Sequence, residues 1–257
     1  MSTRAATAAS ASALALILGL GLAACAHNSP FHKASPERTA ATDMQLSIEY
    51  MKLGRLAASQ EFIERALRED PRNADVQMTA GLVYERLNDL PKAERSYASA
   101  YRLGKNDPNI QNAYAGFLCR TGKAAEGEKL FDEVARSPLY QTPEVALTNA
   151  GVCVRSAGNV IGAERYFNRA LAIHPNMPEA MLQLGNMAFD RGDAARAVDT
   201  VKRYLAVNPP SSEVLWLGFR AERKLGDATS AAVYAHRVQT EFPNSQQALM
   251  LRSGIDR

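Results

Sequence analysis

Tryptophan occurs once in the 257 residues, histidine four times and cysteine three times. Each scarcity excludes something. Gly-x-Ser-x-Gly, His-Glu-x-x-His and a phosphate-cradling glycine loop are all missing, and with them the common signatures of hydrolytic and nucleotide-dependent catalysis. His27 and His32 fall in a polar N-terminal stretch. His174 precedes Pro175 at a predicted helix end, where a cation suits the helix dipole, and His236 lies on a later helix. None has a ligand companion three or four residues on, so no metal site is expected. Charge of one sign is missing too. Thirty Lys and Arg face 27 Asp and Glu, a formal net charge of +3, mixed throughout. That is no basic face of the kind nucleic acid requires. No catalytic constellation, cofactor or small-molecule substrate is implied, and the chain reads as a non-enzyme.

Long apolar runs are also absent. Ala11 to Leu22 is an almost uninterrupted apolar run, but at about a dozen residues it is shorter than the roughly 20 a spanning helix needs. Arg4, this short core and the small residues after it describe an export signal over 1–24. Leu22-Ala23-Ala24-Cys25 resembles the lipobox of bacterial lipoproteins, which implies lipidation at Cys25; the lipid would be the chain's one covalent addition. Ala26 stands where an inner-membrane retention signal would place Asp. The expected location is therefore the inner leaflet of the outer membrane, facing the periplasm. Residues 25–39, with His27-Asn28-Ser29-Pro30 and Ala34-Ser35-Pro36-Glu37, read as a flexible tether. A coil of that length spans about 20 Å.

Beyond the tether the chain repeats itself. Gly54, Asn88, Gly122, Gly158, Gly192 and Gly226 are 34, 34, 36, 34 and 34 residues apart. A second column reads Ser59, Ala93, Gly127, Ala163, Ala197 and Ala231. A third reads Ile63, Tyr97, Phe131, Phe167, Val201 and Ala235, and a fourth Pro71, Lys105, Leu139, Pro175, Pro209 and Pro243. Glycine ends a first helix, small residues let two helices approach, bulky ones fill the gap, and proline closes the unit. The period and columns resemble the tetratricopeptide repeat. The expected fold is an all-α solenoid over 40–257, with six repeats at 40–73, 74–107, 108–143, 144–177, 178–211 and 212–245 and a short C-terminal tail.

First helices of such repeats line a concave face. The consensus positions put Met44, Ile48, Met51, Met78 and Leu82 there, an adaptable apolar strip suited to an amphipathic helix or extended peptide. Packing against the tether or a neighbouring repeat is the other use of those positions. Asn112, Thr148 and Arg155 are expected to make the lining of repeats three and four more polar. Repeat six adds Arg220, Arg223 and Lys224 beside Trp216, a basic end or a solvated cap. Glu126 and Glu128 read as a solvated helix face. Cys119 and Cys153 fall on neighbouring first helices. In an oxidising compartment they are candidates for a bridge across the longer 137–143 connection; the alternative is two buried thiols acting as small hydrophobes.

Asn112-Ala113-Tyr114-Ala115-Gly116-Phe117-Leu118-Cys119, Tyr140-Gln141-Thr142-Pro143 with Ala146 to Cys153, and Leu215-Trp216-Leu217-Gly218 with Glu222 to Gly226 are similar to segments of the type IV pilus biogenesis and stability lipoproteins, the PilF/PilW family. The resemblance covers the whole mature chain. It implies a pilotin: a factor that binds pilus secretin subunits, supports their outer-membrane localisation and multimerisation, and so serves pilus assembly and twitching motility. The alternative is a repeat lipoprotein of another envelope machine, such as the tight-adherence pilus system or a regulator of peptidoglycan enzymes. Within the family the cysteine pair looks like a variant feature, a staple rather than a site.

Overall fold

Six times the backbone turns left-handed where the first column predicts it. Gly54, Asn88, Gly122, Gly158, Gly192 and Gly226 have φ of +71°, +60°, +84°, +88°, +91° and +82°. The computed structural model of the chain describes residues 35–254. There the first helices of the repeats are α1 (Pro36–Lys52), α3 (Ala74–Arg86), α5 (Pro108–Arg120), α7 (Pro143–Ser156), α9 (Pro178–Asp190) and α11 (Ser212–Leu225). The second helices are α2 (Leu56–Glu69), α4 (Leu90–Leu103), α6 (Ala124–Arg136), α8 (Val160–Ile173), α10 (Ala194–Val207) and α12 (Ala228–Glu241), with α13 (Gln246–Ser253) last. Among the described residues there is no strand, and no helix is long and apolar enough to cross a membrane.

Each left-handed residue closes its helix the same way. The amide after it reaches back five residues, from Arg55 to the Tyr50 carbonyl at 2.9 Å, from Lys123 to Leu118 at 2.8 Å and from Asp227 to Glu222 at 3.0 Å. These are Schellman closures, which satisfy carbonyls a helix end leaves open. In four repeats the next side chain then caps the second helix. Asp89, Asn159, Asp193 and Asp227 accept from the amides of Lys92, Gly162, Arg196 and Ser230. Turn and cap together fix where each hairpin folds. A methyl at Gly158 would meet no atom within 4 Å. Gly158→Ala therefore costs only the left-handed backbone penalty, about 1–2 kcal/mol, readable as a lower urea midpoint.

The second and third columns form the core. Ser59, Ala93, Ala163 and Ala197 are fully buried, as are Ile63, Phe167 and Val201, with Tyr97 and Phe131 nearly so. Helices pack within each hairpin, each second helix packs on the next first helix, and successive first helices touch down the stack from α1 to α11, the nearest-neighbour arrangement of a solenoid. Ser47 and Ser59, both fully buried, each donate to the other's carbonyl at 2.8 Å, so the one polar member of the second column carries no unsatisfied group.

Two boundaries differ from the sequence reading. The first described helix begins at Pro36, inside the stretch read as tether. Ser35 accepts from the Arg38 amide at 3.4 Å, Pro36 opens the helix, and Ala40 is fully buried. Ser-Pro-Glu is turn chemistry and equally a helix start, since proline at the first position loses no bond. The expected tail contains α13. Ser245 caps it through the Ala248 amide at 3.1 Å, and Ala248 is fully buried in the last core cluster, closing an end that would otherwise expose α11 and α12. Cys25 and the rest of the expected lipobox and signal lie outside the described residues.

Candidate functional site: the groove between the first helices

Ile48 and Met51 of α1 meet Met78 and Leu82 of α3 around one apolar cavity of about 220 Å³, completed by Thr79, Tyr97 and Ala113. The structure thus brings four of the five predicted groove residues together. Met44, one turn earlier on α1, is half-buried against the core of repeats one and two and does not line this cavity.

Leu82, Tyr97 and Ala113 also belong to a larger cavity of about 610 Å³, which continues along α5 and α7 past Asn112, Gly116, Asn149 and Val152. The two cavities form one groove across four repeats. Sequence reasoning found its apolar start and missed Tyr97, Ala113 and most of the continuation. A signal was available. Ile48, Leu82, Gly116 and Val152 all stand six residues before their turn residue, so they share a helix face.

The cysteine pair lies in this wall. Cys119 Sγ and Cys153 Sγ are bonded, with Cα atoms 5.4 Å apart, and both residues line the larger cavity. The bond thus joins α5 to α7 and contributes a soft apolar surface to the groove. Its seat explains a break in the second column. A Cβ on Gly127 would lie 2.3 Å from Cys119 Sγ and 2.8 Å from the Ala115 carbonyl, so alanine, used in most other repeats, does not fit here.

The polar residues differ from expectation in detail. Asn112 does line the groove and accepts from Asn149 Nδ2 at 3.2 Å. Thr148 does not: it is almost fully buried and its hydroxyl donates to the Glu144 carbonyl of its own helix at 2.8 Å. Helix-interior threonine has that local option. Arg155 spans to α9, donating to Asp190 Oδ2 at 2.7 Å and to Gln183 Oε1. Glu128 is not simply solvated, since it and Asp132 receive the Tyr166 hydroxyl at 3.0 and 2.9 Å. Burial first, then those carboxylates, push the Tyr166 phenol well above its ordinary value. Glu126 is exposed, as are His174 and His236.

At the rim, Glu85 is the acceptor that orders the wall. It takes the Tyr97 hydroxyl at 3.0 Å and both ends of the Arg120 guanidinium, one at 3.0 Å. Burial, with Glu85 second, raises the Tyr97 phenol, while Glu85 itself raises Arg120. Tyr97 is thereby a neutral donor whose ring faces the groove. Arg120 is the one charged residue lining the two cavities, and its charge is neutralised in place. The groove suits an uncharged, apolar segment of polypeptide.

Stacked helical hairpins with a groove between their first helices define a tetratricopeptide-repeat solenoid, and residues 44–109 and 155–217 match models described as tetratricopeptide repeat. Type IV pilus assembly protein PilF of Pseudomonas aeruginosa is 22% identical over 202 residues, covering 79% of this chain and 80% of that protein. The crystal structure of PilW, a widely conserved type IV pilus biogenesis factor, superposes with a TM-score of 0.70 at 30% identity, over 82% of this chain and 97% of that one. The structure of Pseudomonas aeruginosa PilF superposes at 0.66 with 20% identity, over 85% and 99%. The chain belongs to the PilW family of tetratricopeptide-repeat type IV pilus biogenesis factors.

Proposed function

We propose that this protein is the pilotin-type assembly factor of a type IV pilus. In this reading a lipid on Cys25 anchors it to the inner leaflet of the outer membrane, and residues 26–34 give it reach. The groove holds secretin subunits while they reach that membrane and pair into their ring, so that pilus biogenesis and stability depend on it. The mechanism is capture and positioning, with no bond made or broken. Kinship with PilF and PilW supports a role in pilus assembly. The observation that carries the client-binding step is the continuous groove from Ile48 to Val152, apolar at its start and electrically neutral along its length. An assembly intermediate with unpaired strands exposes apolar segments of matching character.

The test is an unboiled gel of outer membranes from cells with and without this gene, probed for the pilus secretin. Loss of the heat-resistant multimer with accumulation of monomer is the expected result. An unchanged multimer, equal in amount and location, refutes the assembly role and brings forward the other envelope machines.

A further inference from the structure

Beyond the apolar half of the groove, the same face of the first helices changes character. Asn186 and Arg220 occupy in α9 and α11 the position that Ile48 and Leu82 occupy in α1 and α3, six residues before the turn. Here two cations, Arg220 and Lys224, stand apart from the ion pairs of the other repeats. Arg120 is neutralised by Glu85, Arg155 by Asp190, Arg169 by Asp132 and Arg191 by Glu164. Among the described residues no carboxylate pairs with Arg220 or Lys224. Arg220 donates one bond, from Nη2 to Asn186 Oδ1 at 3.2 Å, and its Nε is buried with no acceptor. Both cations rest on one ring, the Arg220 guanidinium 4.4 Å and Lys224 Nζ 5.0 Å from the Phe189 centroid. The nearby Asp190 is already engaged by Arg155 at 2.7 Å, and Glu222 of α11 is buried. Trp216 stands one turn before Arg220, its ring 5.1 Å from Phe219.

Two like charges held over one ring repel each other, and an anion between them removes that repulsion. Half-burial already depresses the Arg220 guanidinium from its ordinary value. This chain therefore keeps one partly desolvated cation, Arg220, and one exposed cation, Lys224, beside partly exposed aromatic rings, and leaves their counter-charge to another molecule. We infer that Asn186, Phe189, Trp216, Arg220 and Lys224 form a second recognition point of the groove, for an acidic side chain next to an aromatic or aliphatic one on the client segment. The inference rests on the reading of this protein as a client-binding scaffold, and adds that the client is bipartite. Its apolar residues lie in repeats one to four and its acidic residue in repeats five and six, which fixes one direction of binding. A peptide fits better than a lipid headgroup because the cations lie on the groove face among rings, where a side chain beside the carboxylate has a surface to cover.

The sole tryptophan makes the site directly readable. The full chain in detergent micelles is titrated with a blocked peptide containing Glu-Phe-Asp and with its Gln-Phe-Asn counterpart, while Trp216 emission is followed. The expected result is a saturable change with the acidic peptide, about tenfold weaker binding of the neutral one, and loss of that difference in Arg220→Gln. Lys224→Gln, at an exposed position that cannot disturb the core, should lose most of the difference as well. Equal binding of the two peptides, or discrimination that survives both substitutions, overturns the site. So does a response confined to mixed phosphatidylglycerol and phosphatidylcholine vesicles, which would make it a lipid contact. The gel described above fails independently. A peptide response with unchanged secretin multimers removes the pilotin reading and keeps the site, and the reverse pair of results does the opposite.

Discussion

Removing both sulfurs, as Cys119→Ala with Cys153→Ala, lowers the stability of the folded repeats by about 3–4 kcal/mol. The bond joins residues 34 apart, and closing a loop of that length takes roughly this much conformational freedom from the unfolded chain. Location adds to it. A solenoid is held by neighbour contacts alone, and the connection from α6 to α7 is where the period lengthens to 36. Its turn places Leu139 in solvent at 66% exposure instead of a helix-ending proline. The bond crosses that join through the first helices. Calorimetry of the double variant, and of the parent in dithiothreitol, should show melting lowered by roughly 10 °C. Hydrogen exchange should accelerate first in α5 and α7. Gly127→Ala supplies a cross-check, since it disrupts the bonded parent severely and the sulfur-free variant less, with the backbone contacts to the Ala115 carbonyl at 2.8 Å and to the residue-119 amide nitrogen at 3.3 Å remaining. An unchanged melting temperature in the double variant would mean that the join is held by packing alone.

Much of this architecture was legible because it depends on residues with few substitutes. A left-handed helix end needs glycine or asparagine, so the first column located all six hairpin turns, Asn88 included. Fully buried positions between two helices need small or bulky apolar residues at fixed spacing, and the second and third columns showed them. What the sequence left open is what one residue type does in two settings. Ser35-Pro36-Glu37 reads as a turn in a tether and as a helix cap with equal chemistry, and only the burial of Ala40 decides between them. Thr148 can face a groove or bond its own backbone. Glu128 shows nothing in the sequence of the Tyr166 hydroxyl that approaches it from 38 residues away. Tyr97 belongs to a core column, so its ring edge in the groove wall follows from the offset between hairpins, a property of stacking with no local signature. The same limit explains the cysteine pair, visible in the sequence as a candidate staple or two buried thiols, while its place in the groove wall was not.

On the proposed client-binding role, charging the apolar half of the groove should weaken client capture and leave the repeats folded. Met78 and Leu82 are partly exposed in the free protein, so Met78→Glu or Leu82→Glu can turn its carboxylate to water until a client covers it. Covering it costs about 2 kcal/mol or more, a loss of roughly thirtyfold in affinity for purified secretin subunits. Leu82→Glu should be the more damaging of the two because Leu82 borders both cavities and interrupts the groove at its midpoint. The sign with pH is fixed. A client raises the pKa of the new carboxylate by desolvating it, so the penalty is complete where the group is ionised and shrinks as pH falls through the bound-state value. Parent protein should show no such recovery, since Arg120, the charged residue lining the groove, does not titrate in that range. Two controls separate binding from folding. Leu139→Glu places the same charge on an exposed inter-repeat turn and should bind as the parent does. Gly158→Ala lowers stability without touching the lining, and should also retain affinity. If Leu82→Glu binds secretin as tightly as these two, the client lies elsewhere on the solenoid, and the groove is only the space that stacked first helices leave.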